Sequence, residues 1–210
     1  FTLGIVVNAD GERFFDEGVD FRNYTYSGMG ARVLRQPAGI AWQVFDQRTA
    51  GLLPDEYRVR HATRYVADTL EELADKMEGL DKDRFLRTVR DFNRAVRTDV
   101  AFNPAIKDGR STVGLDPPKS NWANPLDSPA YVAYAVTCGI TLTYGGLKVS
   151  CEGQVIGEDD TPIAGMYAAG EIVGGLHYVK YAGGAGLTAG AVLGKTAGEK
   201  AARSSRARAT

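Results

Sequence analysis

Cysteine and histidine are nearly absent from this 210-residue sequence, with two of each. Cys138 and Cys151 stand too far apart for a Cys-x-x-Cys redox or zinc pair and have no histidine cluster beside them. A metal centre is therefore not expected, and the thiols read as free in a reducing, cytoplasmic setting. Charge of one sign is also missing. Twenty-five Lys and Arg oppose 26 Asp and Glu, and a net charge of −1 leaves no electrostatic footprint for nucleic acid or an anionic membrane. No run approaches the ~18 apolar residues of a membrane span. No Gly-x-Gly-x-x-Gly turn occurs, so the usual pyrophosphate cradle of a dinucleotide-binding unit is not encoded. The opening runs straight into an apolar strand with no charged leader, and the chain reads as cut from something longer.

What is present suits an α+β protein. Ile5-Val6-Val7, the turn residues Asn8-Ala9-Asp10-Gly11 and then Arg13-Phe14-Phe15 read as a hairpin, followed by an acidic loop holding Asp16, Glu17 and Asp20. A helix is expected over 24–35, ending before Pro37, and a strand over 40–45, where Ile40, Trp42 and Val44 alternate with their neighbours. Thr69-Leu70-Glu71-Glu72 has the form of a capping box and opens a helix stopping at Gly79. A longer helix begins near Asp81, with Phe85, Val89, Phe92 and Val96 in one stripe and arginines largely off it.

Residues 103–129 are proline-rich and read as a long loop containing a domain boundary. Beyond it, strands are expected over 131–136, 146–150, 154–156 and 166–169, then a small-residue helix over 186–202. Fifteen of the 25 glycines fall from Gly139 onward, which sets that part of the chain apart. The resulting division is 1–124, 125–203 and a solvated basic tail over 204–210.

The second part carries the chemistry. Met166-Tyr167-Ala168-Ala169 ends in Gly170 and the carboxylate Glu171, Gly174-Gly175 follow, and Gly183-Gly184-Ala185-Gly186-Leu187 opens the last helix. Such glycines permit close backbone approach to a ligand. The helix start offers N–H groups with partial positive charge, and a carboxylate accepts hydrogen bonds from sugar hydroxyls. The same glycines also suit tight turns and close helix packing.

Three motifs in order resemble the flavoprotein subunits of fumarate reductase and succinate dehydrogenase. Val7-Asn8-Ala9-Asp10-Gly11-Glu12-Arg13-Phe14-Phe15-Asp16-Glu17 is similar to that family's "nxxGxRFxnE" hairpin. Tyr167-Ala168-Ala169-Gly170-Glu171 with Gly174-Gly175 is similar to its "YaaGEvtGG" segment, and the glycine-rich opening of the last helix completes the set. Asp20-Phe21-Arg22-Asn23-Tyr24 and Gly186-Leu187-Thr188-Ala189-Gly190-Ala191 look closest to the tricarballylate dehydrogenase branch.

The resemblance implies a cap domain over the substrate, then the C-terminal portion of an FAD-binding α/β domain whose Rossmann half is absent from these residues. It implies FAD held by Gly170, Glu171, Gly184, Ala185, Gly186 and Leu187. It also implies a catalytic Arg22 that moves a proton while flavin N5 exchanges hydride with a carbon–carbon bond next to a carboxylate. Asp16, Glu17 and Asp20 are candidate relay carboxylates, with nothing in the sequence to choose among them.

The family's histidine and arginine anchors for a dicarboxylate are replaced. The corresponding places read Thr141 or Leu142 and Tyr181, so Thr141, Thr143, His177 and Tyr181 are expected to shape a substrate pocket of different character. His61 reads as surface. The partners implied are a small carboxylate, the nucleotide-binding half and an iron–sulfur electron carrier, the last of which would place the protein at the membrane periphery. Two alternatives stand beside this reading: a catalytically silent cap or assembly module, and a flavin ketosteroid-type dehydrogenase using Tyr144 or Tyr181 as an acid.

Overall fold

The computed structural model describes all residues except 141, 179, 180, 209 and 210, and gives no side-chain placement for 207 and 208. The chain mixes helix and sheet and divides into two compact units, Phe1–Gly139 and Ile140–Thr210.

In the first unit, β1 (Ile5–Val7), β2 (Ile40–Phe45), β3 (Arg64–Ala67) and β4 (Tyr131–Thr137) form one antiparallel sheet in the order β1-β2-β4-β3. Side chains alternate across its faces. Ile5, Val7, Trp42, Val44, Tyr131 and Ala133 join one core, whereas Val6 and Ala41, with Val132 and Tyr134, serve two clusters on the other side. The first core is closed by α3 (Leu70–Lys76) and α4 (Lys82–Ala95), through Leu73 and the stripe Phe85, Val89 and Phe92. Both helices start as the capping residues dictate. The Thr69 side chain accepts from the N–H of Glu72, and that of Asp81 from the N–H of Arg84.

Helix α1 (Arg22–Leu34) lies against the opposite core through Met29 and Val33. It starts two residues earlier than expected, after Phe21, which supplies no side-chain cap. With Gly28 and Gly30 in its middle this helix has weak intrinsic propensity, so packing must hold it. A one-turn α2 (Gln47–Ala50) is capped by the buried Asp46.

A polar network ties the first hairpin to the long loop. Fully buried Glu17 accepts from Arg13 Nε at 3.0 Å, Arg13 Nη2 at 2.6 Å and the N–H of Val6 at 2.9 Å. Arg13 also donates to the carbonyls of Pro117 and Pro118. Lys119, with no exposed surface, donates to the carbonyls of Thr2 and Gly4 at 2.6 and 2.8 Å, and burial pushes its ammonium down to about 8.

The second unit has a two-stranded antiparallel sheet, β5 (Gln154–Ile156) with β6 (Pro162–Tyr167), and the long α5 (Ala185–Arg208). Gly153, at φ +77°, lies under this helix, where an added Cβ would come within 2.6 Å of Ala197 Cβ.

The structure corrects several expectations. The division falls at Gly139 rather than at 124–125, because β4 pairs with β2 on one edge and β3 on the other and so belongs to the first unit. No strand forms over 146–150. Leu147 and Val149 make isolated bridges to Val173 and Val155. Residues 13–15 contribute only the single bridge from Arg13 to Val7. The basic stretch 204–208 is the end of α5 and not a tail.

Candidate functional site

Leaving β6 at Tyr167, the chain makes a 3-10 turn over Gly170–Ile172, with Gly170 at φ +82°. The turn is pinned alongside residues 144–147. Leu147 N–H donates to the Ile172 carbonyl at 2.7 Å, and Gly174 N–H to the Leu147 carbonyl at 3.1 Å. These backbones run so close that a Cβ on Gly146 would lie 2.3 Å from the Ile172 carbonyl oxygen, and one on Gly174 would lie 2.4 Å from the Gly146 nitrogen. Gly174, one of the glycines that read as ligand-approach positions, therefore serves main-chain packing, as does Gly146.

The turn presents Glu171 to solvent, and its Oε1 accepts from the N–H of Thr143 at 2.7 Å. The other carboxylate oxygen makes no hydrogen bond to the described residues. Opposite stands the start of α5. Gly184, at φ +83°, precedes it, the Ala185 N–H donates to the Ala182 carbonyl, and the Gly186 N–H donates to the Tyr181 hydroxyl at 2.7 Å. The His177 ring lies between two others, 5.1 Å from the Tyr181 centroid and 6.2 Å from that of Tyr144.

The result is one cleft in the second unit, lined by Thr143, Gly170, Glu171, His177, Tyr181 and Gly186 among others. Six of the expected site residues are thus gathered in one place. Gly184, Ala185 and Leu187 stand at the helix start outside this lining, and the Leu187 side chain is 83% exposed. Thr141 lies outside the described residues.

Arg22 belongs to the first unit, where it opens α1. Its Nη2 lies 3.3 Å from Glu56 Oε1, with the two side chains 40% and 68% exposed. None of the three candidate relay carboxylates touches it. Glu17 is consumed by Arg13 and Val6, and Asp16 by the N–H of Gly18 and the N–H and hydroxyl of Ser120. Asp20 takes the N–H of Phe21 and faces Lys107 at 3.7 Å. Sequence reasoning missed Glu56, which is 34 residues from Arg22 and sits in no recognisable motif. His61 is exposed, as expected.

The cleft suits an FAD-like group on its own chemistry. A polyol needs a carboxylate with an unshared oxygen, which Glu171 has. Close approach of a flat ring and a chain of hydroxyls needs unobstructed backbone, and a Cβ placed on Gly170 or Gly184 would meet nothing within 4 Å. A helix N-terminus favours negative charge placed before it, although two of its first N–H groups already have partners here. Among the described residues no helix is long and apolar enough to cross a membrane.

Comparison with known proteins agrees with this chemistry. A family model described as an FAD binding domain matches residues 3–187. The NADH:fumarate oxidoreductase of Klebsiella pneumoniae (strain 342) is 32% identical over 96% of this chain, which spans 20% of that protein. The structure is similar to the open conformation of a flavocytochrome c3 fumarate reductase, with a TM-score of 0.70 and 28% identity over 96% of this chain and 32% of that one. It is also similar to 3-ketosteroid delta1-dehydrogenase from Sterolibacterium denitrificans, with a TM-score of 0.68 and 26% identity over 96% of this chain and 39% of that one. The chain thus spans a fifth to two fifths of these proteins' lengths. A match over so much of the chain, together with a cleft of fitting chemistry, places it in the FAD binding domain family, with FAD as the cofactor.

Proposed function

We propose that this chain supplies the substrate cap and the flavin-edge segment of an FAD-dependent oxidoreductase acting on a carbon–carbon bond next to a carboxylate, with a tricarballylate-like substrate. The observation that carries the reading is the single cleft where Glu171 and the start of α5 face each other beside His177 and Tyr181. Bound FAD supplies hydride exchange at N5. Glu171 accepts hydrogen bonds from the cofactor's hydroxyls, and the backbone at Gly170 and from Gly184 to Leu187 lets it approach. Arg22 carries the proton that accompanies the hydride, and Thr141, Thr143, His177 and Tyr181 shape the substrate end.

The pair of cationic dicarboxylate anchors seen in the family pattern is replaced here, so the polar, partly cationic loop holding His177, Tyr178, Lys180 and Tyr181 receives the carboxylate differently. The nucleotide-binding half, and an iron–sulfur carrier that removes or delivers electrons, act as partners in this scheme. Dye-coupled turnover by the full-length protein tests it. Activity with tricarballylate exceeding that with fumarate and with 4-androstene-3,17-dione is expected, and turnover of none of the acids contradicts it.

A second reading keeps the flavin and takes a ketosteroid. It is favoured by the Tyr144, His177 and Tyr181 ring cluster, which offers phenols and apolar surface where carboxylate clamps would stand. Turnover of the steroid alone would select it. A chain that is colourless and fails to bind added FAD would instead fit a silent assembly module.

A further inference from the structure

In the second unit, residues 144–147 and 172–175 are tied main chain to main chain. Leu147 N–H donates to the Ile172 carbonyl at 2.7 Å, Gly174 N–H to the Leu147 carbonyl at 3.1 Å and Gly175 N–H to the Tyr144 carbonyl at 3.2 Å. Thr143, one residue further along, is held differently. Its N–H donates to a side chain, Glu171 Oε1, at 2.7 Å. Its hydroxyl lies 3.3 Å from the Gly145 carbonyl and 3.5 Å from the same carboxylate oxygen.

Where Thr143 is held decides where its neighbour points. The Tyr144 ring lies 6.2 Å from that of His177, which in turn lies 5.1 Å from that of Tyr181. The Tyr181 hydroxyl accepts the N–H of Gly186 at the start of α5. Glu171 thus stands at a junction, with one oxygen on the loop that leads to this ring cluster and the other without a hydrogen bond to the described residues.

Both Thr143 and Glu171 are exposed. A hydrogen bond open to water contributes little, because water competes for both partners. The same bond strengthens once a bound group covers it and lowers the local dielectric. A carboxylate has acceptor sites on both oxygens, so a polyol can take the second one without displacing Thr143. A side chain already fixed by one partner also loses less rotamer freedom on meeting the next. Each effect makes the two contacts favour each other.

We propose that Glu171 couples the cofactor to the substrate loop. Its Oε1 holds the main chain at Thr143 while its other oxygen takes a hydroxyl of FAD, so that FAD binding orders the loop at Thr143 and Tyr144. Binding linkage is reciprocal, so a loop ordered by substrate tightens FAD in turn. Thr143 enters this coupling through its N–H and is a positioning residue in it. The inference rests on the proposed role of Glu171 at the cofactor.

Hydrogen exchange of the full-length protein, with and without added FAD, tests it. Saturating FAD should slow exchange of the Thr143 amide about fivefold in the unaltered protein. Glu171→Gln, which keeps an acceptor for Thr143, should retain the slowing, and Glu171→Ala should lose it. Already without FAD, Glu171→Ala should speed exchange at Thr143 and leave Leu147, whose N–H is bonded to a main-chain carbonyl, as it was. Tricarballylate, or whichever test acid the protein turns over, should tighten FAD about fivefold in the unaltered protein and not in Glu171→Ala, read by flavin absorbance. Equal slowing by FAD in Glu171→Ala, or exchange at Thr143 that neither FAD nor the Glu171→Ala change alters, would overturn the coupling and leave the FAD site standing. Failure of the full-length protein to bind FAD would instead sink the reading on which the coupling rests.

Discussion

The two units differ in how completely they are covered. In the first, both faces of the sheet are packed, and even its charges are built in, with Glu17, Arg13 and Lys119 buried and partnered. In the second, the buried apolar residues among those described are Val155, Val173 and Ala197, whereas Ile163, Met166, Ile172, Leu187 and Val192 are all exposed. Strand β6 is exposed from Pro162 to Met166, on both its faces. A sheet face needs something to bury against, and a lone two-stranded hairpin is marginal in water. The comparison teaches that one unit buries a core of its own, whereas the other leaves most of its large apolar side chains uncovered.

That contrast can be broken first at its strongest point. Glu17→Gln leaves the Arg13 guanidinium buried without a counter-charge, which should cost about 3 to 5 kcal/mol. Hydrogen exchange should show the loss across β1 and the 117–121 loop, with the amides of α5 unaffected. Equal loss in α5 would mean that the two units do not unfold separately.

A smaller effect belongs to the second unit. Glu171→Ala should weaken FAD binding by about 1 to 3 kcal/mol, the worth of hydrogen bonds to a charged acceptor, and leave the cofactor-free melting temperature unchanged because the side chain is exposed. Flavin titration by absorbance measures the first and calorimetry the second.

Lys119 sharpens the scaffold side through pH. Its folded value of about 8 lies below the ordinary 10.5, so above pH 8 the folded state gives up a proton that the unfolded chain keeps. Stability is therefore depressed below pH 8 and rises as pH climbs from 8 toward 10. The gain should be about 1 to 2 kcal/mol, or a few degrees of melting temperature, and Lys119→Met should flatten it. Tyr57, pushed up to about 12, acts in the opposite sense only above pH 10 and stays out of this window.

The smallest effect is a gain. Gly28 lies inside α1 with nothing within 4 Å of an added Cβ, and Gly28→Ala should stabilise the first unit by up to about 1 kcal/mol, read as a shift in denaturant midpoint.

Local pattern made some of this legible and distance hid the rest. Strand β2 shows in the alternation from Ile40, and α4 in its stripe and its Asp81 cap, because each signal lies within a few residues of what it controls. The start of α1 at Arg22 carries no side-chain cap to mark it. The placement of β4 depends on pairing with β2, some ninety residues back, and no local pattern encodes it.

The stretch 146–150 has strand-like residues, but Gly146 lets it lie along the Ile172 backbone and make isolated bridges instead of a ladder. Lys119 lies in the stretch read as a long loop, and nothing local marks it as buried, because the carbonyls that satisfy it belong to Thr2 and Gly4. In the cleft, Gly170, Glu171 and Gly186 were readable because each sits at an element end marked by glycine. Glu56 was not, since its partner is reached only through the fold.

The central claim is that Arg22 moves the proton at a bond beside a carboxylate, and the turnover of Arg22→Lys in the full-length protein addresses it most directly. Lysine keeps the positive charge but not the planar fork. A fall in kcat of more than about tenfold, equivalent to ~1.4 kcal/mol of barrier, with an unchanged melting temperature is the result this account predicts. Turnover within tenfold of the unaltered protein would contradict it.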